Sequence, residues 1–144
     1  LDFNLFLSPE DIKKVTDSKG INLEEEGNRF VYLFERENGQ KAFLRIYDDN
    51  QRDPRESEIT AALKTMVVKS PQVAFITGHG ERDIYRGGER DYSAFAKNLT
   101  FRYSLINQGF GVSVLDLKAD SMATDIADNI DIIVIADVRE AYIS

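Results

Sequence analysis

The feature that most constrains the fold is a continuous apolar run, Val73-Ala74-Phe75-Ile76-Thr77, with Ser70-Pro71 before it and Gly78 after it. A strand with one wet face alternates apolar and polar residues. An unbroken run between chain breakers reads instead as a strand buried on both faces, the pattern of parallel sheets covered by helices. After this strand the sequence predicts a Gly- and charge-rich loop over 78–91 and a helix over 92–108, striped by Phe95, Leu99, Tyr103 and Ile106 and ended by Gly109. It then predicts a strand over 112–117, a short helical turn near 122–128 and a third strand over 131–136. Strands separated by helical stretches imply right-handed parallel crossovers. The expected class is α/β, of Rossmann-like or flavodoxin-like kind.

The first seventy residues read differently, as an α plus antiparallel β-hairpin subdomain over 1–70 preceding the α/β domain over 71–144. Ser8, Pro9, Glu10 and Asp11 form a helix start and Gly20 a stop, with Ile12 and Val15 as a narrow apolar stripe. Two apolar runs over 30–35 and 41–47 flank Asn38-Gly39, the dipeptide suited to a two-residue type I′ turn. That turn predicts Phe34 opposite Phe43, Leu33 opposite Leu44 and Val31 opposite Ile46. One face then carries Phe30, Tyr32, Phe34, Phe43 and Tyr47, and such aromatic stripes are usually core. Ser57 is expected to cap a second helix striped by Ile59, Leu63, Met66 and Val67.

Charge narrows the function. The 144 residues carry a formal charge of −7, and a surface of that sign repels nucleic acid. With no cysteine, disulfides, thiolate metal sites and cysteine nucleophiles are excluded. The longest apolar runs, such as 132–136, fall far short of the ~20 residues of a membrane helix. The chain reads as an excised fragment, so the lack of a targeting segment says nothing about its parent, and residues past 144 are expected to complete the sheet.

The segment with chemical potential is Thr77-Gly78-His79-Gly80-Glu81-Arg82-Asp83, at the carboxyl end of the first buried strand, where open α/β sheets bind ligands. His79 is the only histidine. A dinucleotide fingerprint fails, because its third glycine falls on Asp83 and the loop to the next helix is too long. A metal site would draw on His79 with Glu81, Asp83 or Asp91, and acid–base hydrolysis on His79 and Glu81 without an evident nucleophile. Arg82, Arg86 and Arg90 are interleaved with four acidic residues, which favours a solvated, salt-bridged loop over an anion cradle. The bland alternative is a loop whose side chains bond neighbouring backbone and fix a tight turn, and it is the favoured reading of His79 and Glu81. A loop of this length between strand and helix is also a fair surface for docking a partner.

The stretch Val73-Ala74-Phe75-Ile76-Thr77-Gly78-His79-Gly80-Glu81 resembles the strand-then-GHGE signature of GldG-type proteins, auxiliary components of ABC-type transport systems. The resemblance continues through Gly88-Glu89-Arg90-Asp91-Tyr92, through Phe101-Arg102-Tyr103-Ser104-Leu105-Ile106-Asn107-Gln108-Gly109-Phe110, and into the strand over 131–137. Upstream, 57–69 is similar to the helix preceding that signature. One departure stands after the last strand, where the family's proline is replaced by Val138 or Arg139.

The resemblance implies a periplasmic domain of a protein anchored in the bacterial inner membrane, working beside an ABC permease and ATPase. It is most similar to Bacteroidetes members, where the system serves gliding motility or related export. It also implies a fold like the class I glutamine amidotransferases without their nucleophilic cysteine, and no catalytic residues and no cofactor. The expected function is a non-catalytic interaction or ligand-sensing domain, with self-association a further option. Its binding surface is expected at Gly78, His79, Gly80, Glu81, Arg82 and Asp91. The competing expectation is a metal-dependent hydrolase or sugar-binding enzyme using His79, Glu81 and Asp83.

Overall fold

A computed structural model describes residues 8–22, 30–45, 47, 50, 53–89, 91–117 and 126–142, the side chains of Phe30 and Val31 excepted. Helix α1 (Pro9–Ser18) starts as its sequence predicts: Ser8 Oγ accepts the Asp11 N–H at 3.1 Å. It ends in a Schellman pair, with the Gly20 N–H on the Asp17 carbonyl and the Ile21 N–H on the Thr16 carbonyl. The expected stripe is not what packs. Ile12 and Val15 are exposed, while Thr16 and Ile21 are buried.

Strands β1 (Phe30–Glu35) and β2 (Lys41–Arg45) form the hairpin, but its turn and register differ from expectation. The Gly39 N–H donates to the Arg36 carbonyl and the Arg36 N–H to Gln40, so the loop has three residues and Gly39 takes the left-handed position at φ +82°. This is a type I turn closed by a glycine bulge. Asn38 stays out of the left-handed region, its Oδ1 accepting the Gln40 N–H at 3.1 Å. The extra loop residue slips the pairs next to the turn by one, so Phe34 faces Ala42, Leu33 faces Phe43 and Tyr32 faces Leu44, and a further irregularity between Phe30 and Tyr32 sets Phe30 opposite Arg45. The predicted aromatic face is thereby split: Ala42 and Leu44 are buried with Phe34 against them, Phe43 lies on the opposite face, and Tyr32 is 54% exposed. The expected partners Val31 and Ile46 lie outside the described side chains.

Helix α2 (Glu56–Val67) covers the buried hairpin face with Ile59, Ala62 and Met66. It begins two residues earlier than a Ser57 cap would set, with Arg55 at the cap position, and the Glu58 carboxylate takes the Arg55 N–H at 2.9 Å. The expected stripe is rotated, leaving Leu63 and Val67 exposed, because the small Ala62 lets the helix approach the strands.

Beyond it lies a three-stranded parallel sheet of order β4-β3-β5, built from β3 (Gln72–Thr77), β4 (Gly111–Asp116) and β5 (Ile132–Val134). Together with the hairpin this makes a mixed α/β fold, compatible with a Rossmann-like arrangement. Central β3 is buried on both faces, as its apolar run requires, with Val73, Ala74, Phe75 and Ile76 all inaccessible or nearly so. Phe75 anchors a core with Val73, Ile84 and Ala96, against which Tyr92, Leu105, Val112, Val114 and Val134 pack.

The long helix expected over 92–108 is not continuous. Helix α3 (Ser93–Lys97) is followed by an irregular stretch and a single 3₁₀ turn (Ile106–Gln108). Side-chain competition explains the break. Asn98 Oδ1 accepts both the N–H and the hydroxyl of Thr100, and buried Asn107 donates through Nδ2 to the carbonyls of Asn98, Leu99 and Phe101. Those bonds replace the helical ladder, and Phe95 and Tyr103 stay exposed. Most of the turn expected near 122–128 lies outside the described residues.

Candidate functional site

The strand order places the site. The crossover from β3 runs to one side (β4) and the next returns to the other (β5), so the order reverses between β3 and β5. A crevice outside the carboxyl ends of those two strands is where open α/β sheets bind ligands. The His79 loop leaves β3 there, and the segment 135–142 leaves β5 beside it.

These two segments bind each other. The His79 carbonyl accepts the N–H groups of Arg139 and Glu140, both at 3.0 Å, and the Ala136 carbonyl accepts the Arg82 N–H at 3.0 Å. The Glu81 side chain is fully buried between them. One of its oxygens accepts the His79 N–H at 2.6 Å and the other the Tyr142 hydroxyl at 2.5 Å. The His79 ring lies 4.5 Å from the Tyr142 ring, centroid to centroid, with Nδ1 4.0 Å from Glu81 Oε1. Gly80 is required twice over. Its φ of +78° suits glycine, and a β-carbon there would sit 3.0 Å from the Arg139 β-carbon.

Burial opposes ionisation of Glu81, but hydrogen bonds from the Tyr142 hydroxyl and from the His79 and Glu81 N–H groups outweigh it. With the nearby imidazole, they hold the carboxyl below its ordinary range. Removal from water and the adjacent Glu81 carboxylate push the Tyr142 phenol up to about 12.

The remaining expected residues divide. Gly78, His79, Gly80 and Glu81 are gathered at the clamp. Arg82 stands at its edge, Nε 3.6 Å from Asp137 Oδ2, with its guanidinium 5.4 Å from the centre of the Tyr92 ring. Arg139 Nη2 approaches the same Asp137 oxygen at 3.5 Å, and Asp137 itself has φ +57°. Asp91 instead braces the loop. Its Oδ1 accepts the Asp83 N–H at 3.3 Å, next to the bond from the Tyr92 N–H to the Asp83 carbonyl. Asp83 binds the Tyr85 N–H and pairs with Arg86, and Arg90 lies outside the described residues. Among the described residues no three histidine, aspartate or glutamate side chains are grouped to hold a metal. His79, Glu81 and Asp83 do not form such a group.

Sequence reasoning missed Asp137, Arg139 and Tyr142. Nothing in their local pattern marks them. The signal that finds them is topological: in a sheet whose order reverses at β3, whatever follows β5 must meet whatever follows β3. No family model, no curated protein and no solved structure matches the chain.

Proposed function

We propose that this chain is a non-catalytic, extracytoplasmic interaction or ligand-sensing domain of a GldG-type auxiliary protein of an ABC transporter. In this reading the parent is anchored at the periplasmic face of a bacterial inner membrane beside a permease and an ATPase. Its sheet is a flavodoxin-like or class I glutamine amidotransferase-like one. The observation that supports non-catalytic work is the use the chain makes of its own loop. The backbone N–H and carbonyl of His79 and both carboxylate oxygens of Glu81 are taken up by contacts within the loop and with the segment after β5, Tyr142 included. A loop consumed in this way fixes the shape of a surface. Exposed apolar side chains beside it include Ile135 and Val138.

The test is a pull-down of the tagged full-length parent from native membranes in mild detergent, beside its Ile135→Asp variant. The wild type is expected to recover a permease and an ATPase, and the variant to recover less of both. Absence of both subunits from the wild-type sample overturns the transporter reading. Undiminished recovery with the variant moves the contact away from this surface.

A further inference from the structure

The crevice at the carboxyl ends of β3 and β5 is occupied by the chain itself. Asp137, at φ +57°, turns the chain after β5, and residues 137–142 then lie across the His79 loop. Every residue of this segment is exposed, and none belongs to either buried core. Hydrogen bonds, ion pairs and one ring contact hold it. A segment fastened without buried apolar contacts opens locally at far less cost than a core strand. What it covers is polar. Beneath it the Glu81 side chain is wholly inaccessible. The His79 side chain is 13% exposed, and its buried Nδ1 has no hydrogen-bond partner among the described residues. Native structures leave few buried polar atoms in that condition.

Tyr142 sits where open α/β sheets hold a ligand, with its hydroxyl on one oxygen of Glu81 and its ring on that of His79. Its departure would set that oxygen free beside the uncovered imidazole. A carboxylate oxygen next to an aromatic ring is a setting that a guanidinium fills, bonding the first and stacking on the second. The local charge agrees. Arg82 and Arg139 are opposed by Glu81, Asp137 and Glu140, so two positive charges meet three negative ones, in a chain of net −7. We propose that residues 137–142 are an autoinhibitory strap, and that an arginine side chain of a docking partner displaces Tyr142 from Glu81 and His79. The proposal rests on the reading of this face as an interaction surface and names the event that a partner triggers there.

The test uses the chain alone, so its failure leaves the pull-down from membranes to judge the transporter reading separately. In hydrogen exchange without any ligand, the amides of Arg82, Arg139 and Glu140, which close the strap, are expected to exchange at least about tenfold faster than those of β3. N-acetyl-argininamide, titrated at constant ionic strength into the ¹⁵N-labelled chain, is expected to give saturable shifts over 79–82 and 139–142. N-acetyl-citrullinamide, its uncharged counterpart, is expected to give none. Tyr142→Ala is expected to bind the arginine probe at least about tenfold more tightly than the wild type, because the small open fraction limits the apparent affinity of the intact chain. Glu81→Gln is expected to lose the binding. The proposal is overturned if the strap amides exchange no faster than those of β3, or if the citrulline probe binds as well as the arginine one. It is also overturned if Tyr142→Ala, folded by its spectrum, binds the arginine probe no more tightly than the wild type.

Discussion

At the scale of single residues, the clamp rests on one carboxylate and one phenol with opposed titrations. Glu81 is lowered from 4.5 in the folded chain, so its contribution to stability is complete above that value and is lost as pH falls through the lowered one. Tyr142 is raised from 10 to about 12, so its contribution is complete below 10 and is lost as pH rises through 10 towards 12. Stability should therefore be eroded at both extremes by the same contact. In urea titrations across pH, Tyr142→Phe is expected to flatten the alkaline loss and Glu81→Gln to flatten the acid one. A wild-type alkaline slope that survives in Tyr142→Phe would show that the phenol does not hold the segment after β5. Of this contact, the sequence shows only half. His79 and Glu81 announce themselves through flanking glycines and the strand before them. Tyr142 is one aromatic among six tyrosines, given its role only by a strand order that no local pattern encodes.

Elements were legible where a local rule had no competitor. The buried strand β3 needs nothing but its own apolar run, and α1 is set by Ser8 and the Gly20 stop. The hairpin was legible in kind but not in register, because Asn-Gly serves two turns that differ by one residue and the slip changes which side chains share a face. Both turns place Gly39 at positive φ, so Gly39→Val is expected to cost about 1–2 kcal/mol in chemical denaturation. An unchanged midpoint would remove the turn assignment. The expected helix over 92–108 failed because apolar spacing cannot register a buried amide several residues away. Asn107 binds three carbonyls that a helix would have used, and Asn107→Ala is expected to cost about 2 kcal/mol by leaving those acceptors short of a donor. Loss of amide protection confined to 98–107 in hydrogen exchange would follow the same change. Uniform protection would mean that the irregular stretch is held by its backbone alone.

For the whole molecule, the sheet is graded from a sealed centre to an open margin. Phe75 on β3 is 1% exposed, whereas Ile132, Ile133 and Ile135 along and just past β5 present apolar surface to solvent. These strands share a similar apolar character in sequence, so hydropathy alone cannot tell centre from edge; the pairing order does. The grading predicts a contrast between two substitutions. Phe75→Ala removes a ring packed among Val73, Ile84 and Ala96 and is expected to cost about 3–5 kcal/mol. Ile135→Lys, at 59% exposure, is expected to change stability by no more than about 0.5 kcal/mol, and in the isolated chain to reduce any self-association measured by light scattering. Comparable losses at both positions in urea melts would mean that β5 is packed as deeply as β3, and the sheet order β4-β3-β5 would then lack its outer edge. A large loss at Phe75 alone supports β3 as the strand on which both the core and the crevice at its carboxyl end depend.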